Sequence, residues 1–102
     1  MIQVVATVEL HPDSRKAFLA EIDTLTPTVQ AEDGCLAYCA YVDVASGLAA
    51  QTPPRPDAVT IIEQWTNLSA LLAHAVAPHM QAYRKRVANL VVKTILQVLG
   101  RP

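Results

Sequence analysis

The chain has 102 residues, 52% apolar and 17% charged, with a formal net charge of −1, so a single domain of residues 1–102 is expected. That charge excludes a phosphate-reading surface, which needs a clustered basic excess, and no nucleic-acid partner is expected. No apolar run nears the ~20 residues of a membrane span and MIQVVATVEL lacks a basic head, so a cytoplasmic protein with no membrane partner is expected.

Ile2 to Leu10 reads as a strand with Ile2, Val4, Ala6 and Val8 on one face and Gln3, Val5, Thr7 and Glu9 on the other. His11-Pro12-Asp13 breaks it and suits a helix start. Phe18, Ile22, Leu25 and Val29 then recur at helical spacing, with Pro27 expected to kink the helix or end its regular part. Gly34 is available as a left-handed C-cap. Cys35 to Val44 forms a second strand, and Ala45 to Asp57, with Gly47 and TPPRP, forms a loop with room for a short edge strand. Ala58 to Trp65 is the third strand, and Thr66-Asn67 caps a helix starting near Leu68. This helix is interrupted around Pro78, resumes through Met80, Tyr83, Val87 and Leu90, and precedes a last strand from Val91 to Leu99.

The order β-α-β-β-α-β specifies an α+β, ferredoxin-like fold. Two helices cover one face of a four-stranded sheet, yet several strands are apolar on both faces: Val92, Leu96 and Val98 oppose Val91, Ile95 and Leu99. A homodimer with the sheets face to face, a dimeric α+β barrel, removes that exposed apolar surface.

Cys35 and Cys39 on one strand sit about 13 Å apart, beyond the reach of a disulfide, and read as reduced, half-buried thiols. His74 and His79 flank Pro78 in LLAHAVAPHMQAY. Their offset separates them by about 140° on a regular helix, and no third ligand stands at a recognisable spacing, so no metal site is expected. His79 is expected to cap or support the second helical piece.

The segments PTVQAEDGCLAY, IIEQW and HAVAPHMQAY, in this order and spacing, resemble the antibiotic biosynthesis monooxygenase superfamily, and most nearly its bacterial quinol monooxygenases. The resemblance implies a dimeric barrel that oxidises a quinol or phenolic aromatic with O2, without flavin, haem or metal. The residues suit that chemistry: Gly totals three and no Gly-rich phosphate cradle is present, so no nucleotide cofactor is expected. The haem-degrading members are not matched, since Thr7, His74 and Arg84 stand where they carry Asn, Trp and His. The actinorhodin-type members are matched at Trp65 and Arg84, whereas Ile61 and Leu71 replace their Asn and Tyr. Isomerases of a phosphorylated signal share the fold and the histidine pattern, so the alternative is a same-fold isomerase or a binding dimer without redox chemistry.

The expected site is a pocket between helices and sheet lined by Thr7, Tyr38, Glu63, Trp65, His74 and Tyr83, with Arg84 beside it. His74 and Glu63 are the candidate bases. An imidazole titrates near ~6.5 and a pocketed carboxylate rises from its usual range. The opposing readings are a helix-edge histidine bonded to a carbonyl and a solvated glutamate. Trp65 either stacks on a substrate ring or plugs the helix layer, and Tyr38 and Tyr83 either present hydroxyls to a ligand or simply pack.

Overall fold

A computed structural model describes residues 1–102. The elements are β1 (Ile2–Leu10), α1 (Arg15–Gln30), β2 (Cys35–Tyr41), β3 (Ala58–Trp65), α2 (Leu68–Ala75), α3 (Pro78–Val87) and β4 (Val91–Leu99). One antiparallel sheet has the order β2-β3-β1-β4, which is the ferredoxin-like arrangement expected from the element order. No helix is long and apolar enough to cross a membrane.

The strict alternation of β1 decides which sheet face meets the helices. Val4, Ala6, Val8 and Leu10 are buried, and their partners Glu63, Ile61 and Val59 on β3 point the same way. Phe18, Ile22, Leu25 and Val29 of α1 close over them, with Met80, Tyr83 and Val87 of α3 alongside. Thr7 belongs to the opposite face, between Thr60 and Ile95, so it cannot line a pocket under the helices as expected. Its polarity suits a sheet face that the helices leave uncovered.

Three local expectations need correction. Helix α1 runs on through Pro27 to Gln30: the proline forfeits its N–H bond to the Asp23 carbonyl, yet its own carbonyl still accepts from Ala31 N–H at 3.1 Å and the buried stripe holds the turn. Its N-cap position is Ser14, which makes no side-chain capping bond, after Asp13 takes a left-handed φ of 64°. Gly34 does have φ 82°, but lies past the C-cap Ala31, in the turn into β2. A Cβ there would stand 2.6 Å from Ala70 Cβ and 2.7 Å from Thr66 Oγ1, so glycine is required for close approach as well as for its backbone angle. The Gly34 carbonyl accepts from Thr66 N–H at 2.9 Å, stapling the start of β2 to the end of β3.

Strand β2 stops at Tyr41, and the following loop contains no edge strand. That loop is held instead by Arg55, whose guanidinium donates to both carboxylate oxygens of Asp43 at 2.8 and 3.0 Å. The pair lies at the surface, where solvent screens it and its contribution to stability is small.

On the far side of β1, β4 is the edge strand and its apolar residues stay exposed on both faces. Leu96 and Val98 point toward the helix side yet stay about half exposed, and Ile95 and Leu99 point away. Val4, by contrast, lies in the core under the helices and forms no part of the outer surface.

Candidate active site

The break between α2 and α3 organises the site. Proline restricts the residue before it to extended backbone, and Ala77 takes φ −61° and ψ 144°, with Pro78 as the first helical residue after it. The chain therefore changes direction between the two histidines, and the angle expected from one continuous helix does not apply. Arg84 donates to the Ala75 carbonyl at 2.6 Å and Gln81 to the Val76 carbonyl at 2.9 Å, satisfying carbonyls that the break leaves open.

With the helix turned, both imidazoles reach one carboxylate. His74 Nδ1 lies 2.7 Å and His79 Nε2 lies 2.9 Å from the same oxygen, Glu32 Oε2. Glu32 stands between the end of α1 and the Gly34 turn, outside the segments that supply the other site residues. It went unassigned in the sequence because its spacing to the histidines carries no pattern. The signal available was topological: the turn entering β2 must lie beside the end of β3, where Cys35 pairs with Trp65 and α2 begins. His79 bonds this carboxylate and does not cap α3, whose cap residue is Ala77.

Around His74 the predicted residues divide into two groups. Tyr38, Glu63 and Trp65 form its packing shell. The Trp65 ring is 4.7 Å from the imidazole, tilted by 35°, and the Tyr38 ring meets it edge-on at 5.9 Å. Trp65 is fully buried, so it stacks on His74 and is not open to a substrate ring. Its indole N–H donates to Glu63 Oε1 at 3.0 Å, and that oxygen lies 3.8 Å from His74 Nε2. Burial pushes the Glu63 carboxyl above its ordinary range, against the opposing pull of the Trp65 N–H and of His74. Burial likewise pushes the hydroxyls of Tyr38 and Tyr83 upward, so neither is a proton acceptor near neutral pH.

The second group lines a cavity of about 500 Å³ between α2, α3 and the helix-side face of β1, β3 and β4. His74, Tyr83, Arg84 and Thr94 supply its polar groups; the rest of the wall is apolar and includes Ala6, Ile61, Leu71, Met80 and Leu96. These apolar lining residues were not assigned to a site from the sequence, since a cavity wall and a core share one pattern. A cavity of this size and lining suits a small aromatic molecule.

The orientation of His74 follows from its neighbours. If Glu32 is a carboxylate, Nδ1 carries the ring proton and donates it, leaving the lone pair on Nε2. Nε2 makes no hydrogen bond, and the carboxylate oxygen beside it is Glu63 Oε1 at 3.8 Å.

Comparisons with known proteins agree with this architecture. The family model described as "Antibiotic biosynthesis monooxygenase" matches residues 1–86. The chain is similar to "Probable quinol monooxygenase YgiN" of Escherichia coli, at 36% identity over 97% of this chain and 96% of that one. Among solved structures, Rv0793 from Mycobacterium tuberculosis superposes with a TM-score of 0.78 at 27% identity, covering 99% of this chain and 94% of that chain. PA3566 from Pseudomonas aeruginosa shares the fold, with a TM-score of 0.80 at 24% identity over 99% and 93% of the two chains. On the family match and the similarity to YgiN, the chain belongs to the antibiotic biosynthesis monooxygenase family.

Proposed function

We propose that the protein oxidises a quinol or related electron-rich phenol with O2, and that His74 is the base. One observation carries the reading: an imidazole held from behind by a carboxylate, with its second nitrogen free of hydrogen bonds, stands in the wall of an apolar cavity sized for an aromatic ring. The similarity to a protein named as a quinol monooxygenase supports the substrate class.

The steps use few protein groups. A quinol enters the cavity with its ring against Leu71, Met80 and Ile61 and a hydroxyl toward His74 Nε2. The imidazole takes the hydroxyl proton, and Glu32 stabilises the imidazolium that forms. The quinolate left behind is a strong electron donor: it passes two electrons to O2, and its second hydroxyl proton with the one held by His74 completes quinone and H2O2, leaving the imidazole neutral again. Arg84, at the cavity wall, offsets the negative charge of the quinolate. Proton removal by the protein and electron loss by the substrate together require no flavin, haem or metal.

Glu63 serves in this reading as a buried partner of His74 and Trp65, and not as the base. Its oxygen is already engaged by the indole N–H, and it does not line the cavity. We further infer a cytoplasmic homodimer. The exposed apolar residues of β4 support association, with Ile95 on the outer sheet face at 47% exposure and Leu96 at 56%. Oxygen consumption by purified protein against a panel of reduced quinones tests the activity. Consumption no faster than the spontaneous rate with every quinol would overturn it.

A further inference from the structure

We propose that Glu32, His74 and His79 together form a binding site for a divalent ion of the zinc class. The donors are His74 Nδ1, His79 Nε2 and the Glu32 carboxylate, and all three lie within 4.8 Å of one another. They come from three elements: the turn after α1, the last turn of α2 and the first turn of α3. The sequence offers no ligand spacing because the site exists only once the Pro78 break has turned His79 back toward Glu32.

Distances and chemistry both fit. Donors that share one ion at ~2.1 Å stand about 3.0 to 3.4 Å apart, from octahedral to tetrahedral geometry. The two histidine–carboxylate separations of 2.7 and 2.9 Å need to open by a few tenths of an ångström, while the two imidazole nitrogens, within 4.8 Å of each other, draw together. Two imidazoles and a carboxylate are a donor set that suits zinc and its neighbours and gives magnesium or calcium little advantage. Exposure is graded, with the His74 side chain at 6%, Glu32 at 14% and His79 at 29%, so one side stays open for ion entry and for bound water.

Metal-bound histidines commonly direct their second nitrogen at a carboxylate; the group nearby is Glu63 Oε1, which Trp65 anchors, 3.8 Å from His74 Nε2 and short of a hydrogen bond until the ring shifts. With both imidazoles donating to Glu32 in the ion-free protein, an entering ion takes the place of those ring protons, and each imidazole keeps its single proton on its other nitrogen.

Ion binding and the proposed chemistry exclude each other, a consequence that rests on His74 as base. An ion on Nδ1 leaves the ring proton on Nε2, where it blocks acceptance from a quinol. Loading is thus an off state for turnover.

Titrate the EDTA-treated full chain with Zn2+ by calorimetry and with Co2+ by visible absorption. One ion per chain with a dissociation constant of about 10 µM or tighter is expected, with Mg2+ showing none. His79→Ala, at a half-exposed position that tolerates truncation, should weaken Zn2+ binding about 10²-fold, and Glu32→Gln should do so as well. Binding unchanged by His79→Ala would put the ion elsewhere, with Cys35 or Cys39 as the thiol candidates, and would overturn the site. Absence of binding up to millimolar Zn2+ would overturn it too. Binding that follows the expected variants while Zn2+ accelerates quinol oxidation would uphold the site and contradict His74 as base.

Discussion

Glu32 and His74, forty-two residues apart in the chain, meet at 2.7 Å, and this bond engages Nδ1 and leaves Nε2 without a hydrogen bond. The pairing depends on a glycine turn at one end and a proline break at the other. Replacing Glu32 by Gln keeps the shape but removes the negative charge behind the ring. Quinol turnover should fall by about tenfold or more through kcat, with KM little changed, because the charge acts on the imidazolium and not on the bound quinol. Steady-state kinetics on the two proteins check this; equal kcat values would remove Glu32 from the mechanism.

Gly34 positions Glu32, and its replacement tests the turn. Gly34→Ala introduces a Cβ 2.6 Å from Ala70 Cβ at a φ of 82°. Strain and overpacking together should cost about 2–4 kcal/mol in denaturant unfolding. The double variant with Ala70→Gly should recover part of the loss by removing the clash. A cost under about 0.5 kcal/mol would mean that the turn moves freely.

Much of the architecture was legible before any coordinates. The period-2 pattern of β1 and the period-3.6 stripe of α1 are strong because each element buries one whole face, and both appear where expected. Pro27 misled because tertiary packing of Phe18, Ile22, Leu25 and Val29 outweighs a missing N–H in a last turn. Thr7 misled because a polar residue in a strand signals an uncovered face as readily as a cavity. At the site, His74 was legible, while its partner was not. The relation of Glu32 to two histidines is a property of topology and of one bent junction, and neither leaves a spacing to read. Trp65 lay in the expected place with a different task, stacking on the imidazole and holding Glu63.

Buried Glu63 makes stability depend on pH in a definite direction. Its folded pKa is raised above the reference 4.5, mainly by burial, so the folded state binds the proton more tightly than the unfolded chain does. Its contribution is fully present below about 4.5 and is lost as pH rises through the higher folded value. Glu63→Gln, which cannot ionise, should lack that decline. Urea midpoints measured from pH 4 to 8 check this, and parallel curves for the two proteins would contradict it.

Two charge substitutions separate core from interface. Val4→Asp buries an unpaired charge beneath the helices and should leave the chain unfolded or insoluble. Ile95→Asp, on the open sheet face, should yield a folded chain that sediments as a monomer, whereas the wild type sediments as a dimer. A monomeric wild type at micromolar concentration would end the dimer proposal.

The central claim is that His74 takes the quinol proton. The most direct measurement is O2 consumption with a reduced quinone by wild-type protein and by His74→Ala, run with chelator and paired with substrate-binding titrations. Turnover should fall roughly 10²-fold or more while quinol affinity changes little, and added imidazole should restore part of the rate. Full turnover in His74→Ala together with its loss in Glu63→Gln would make the carboxylate the base and contradict the account.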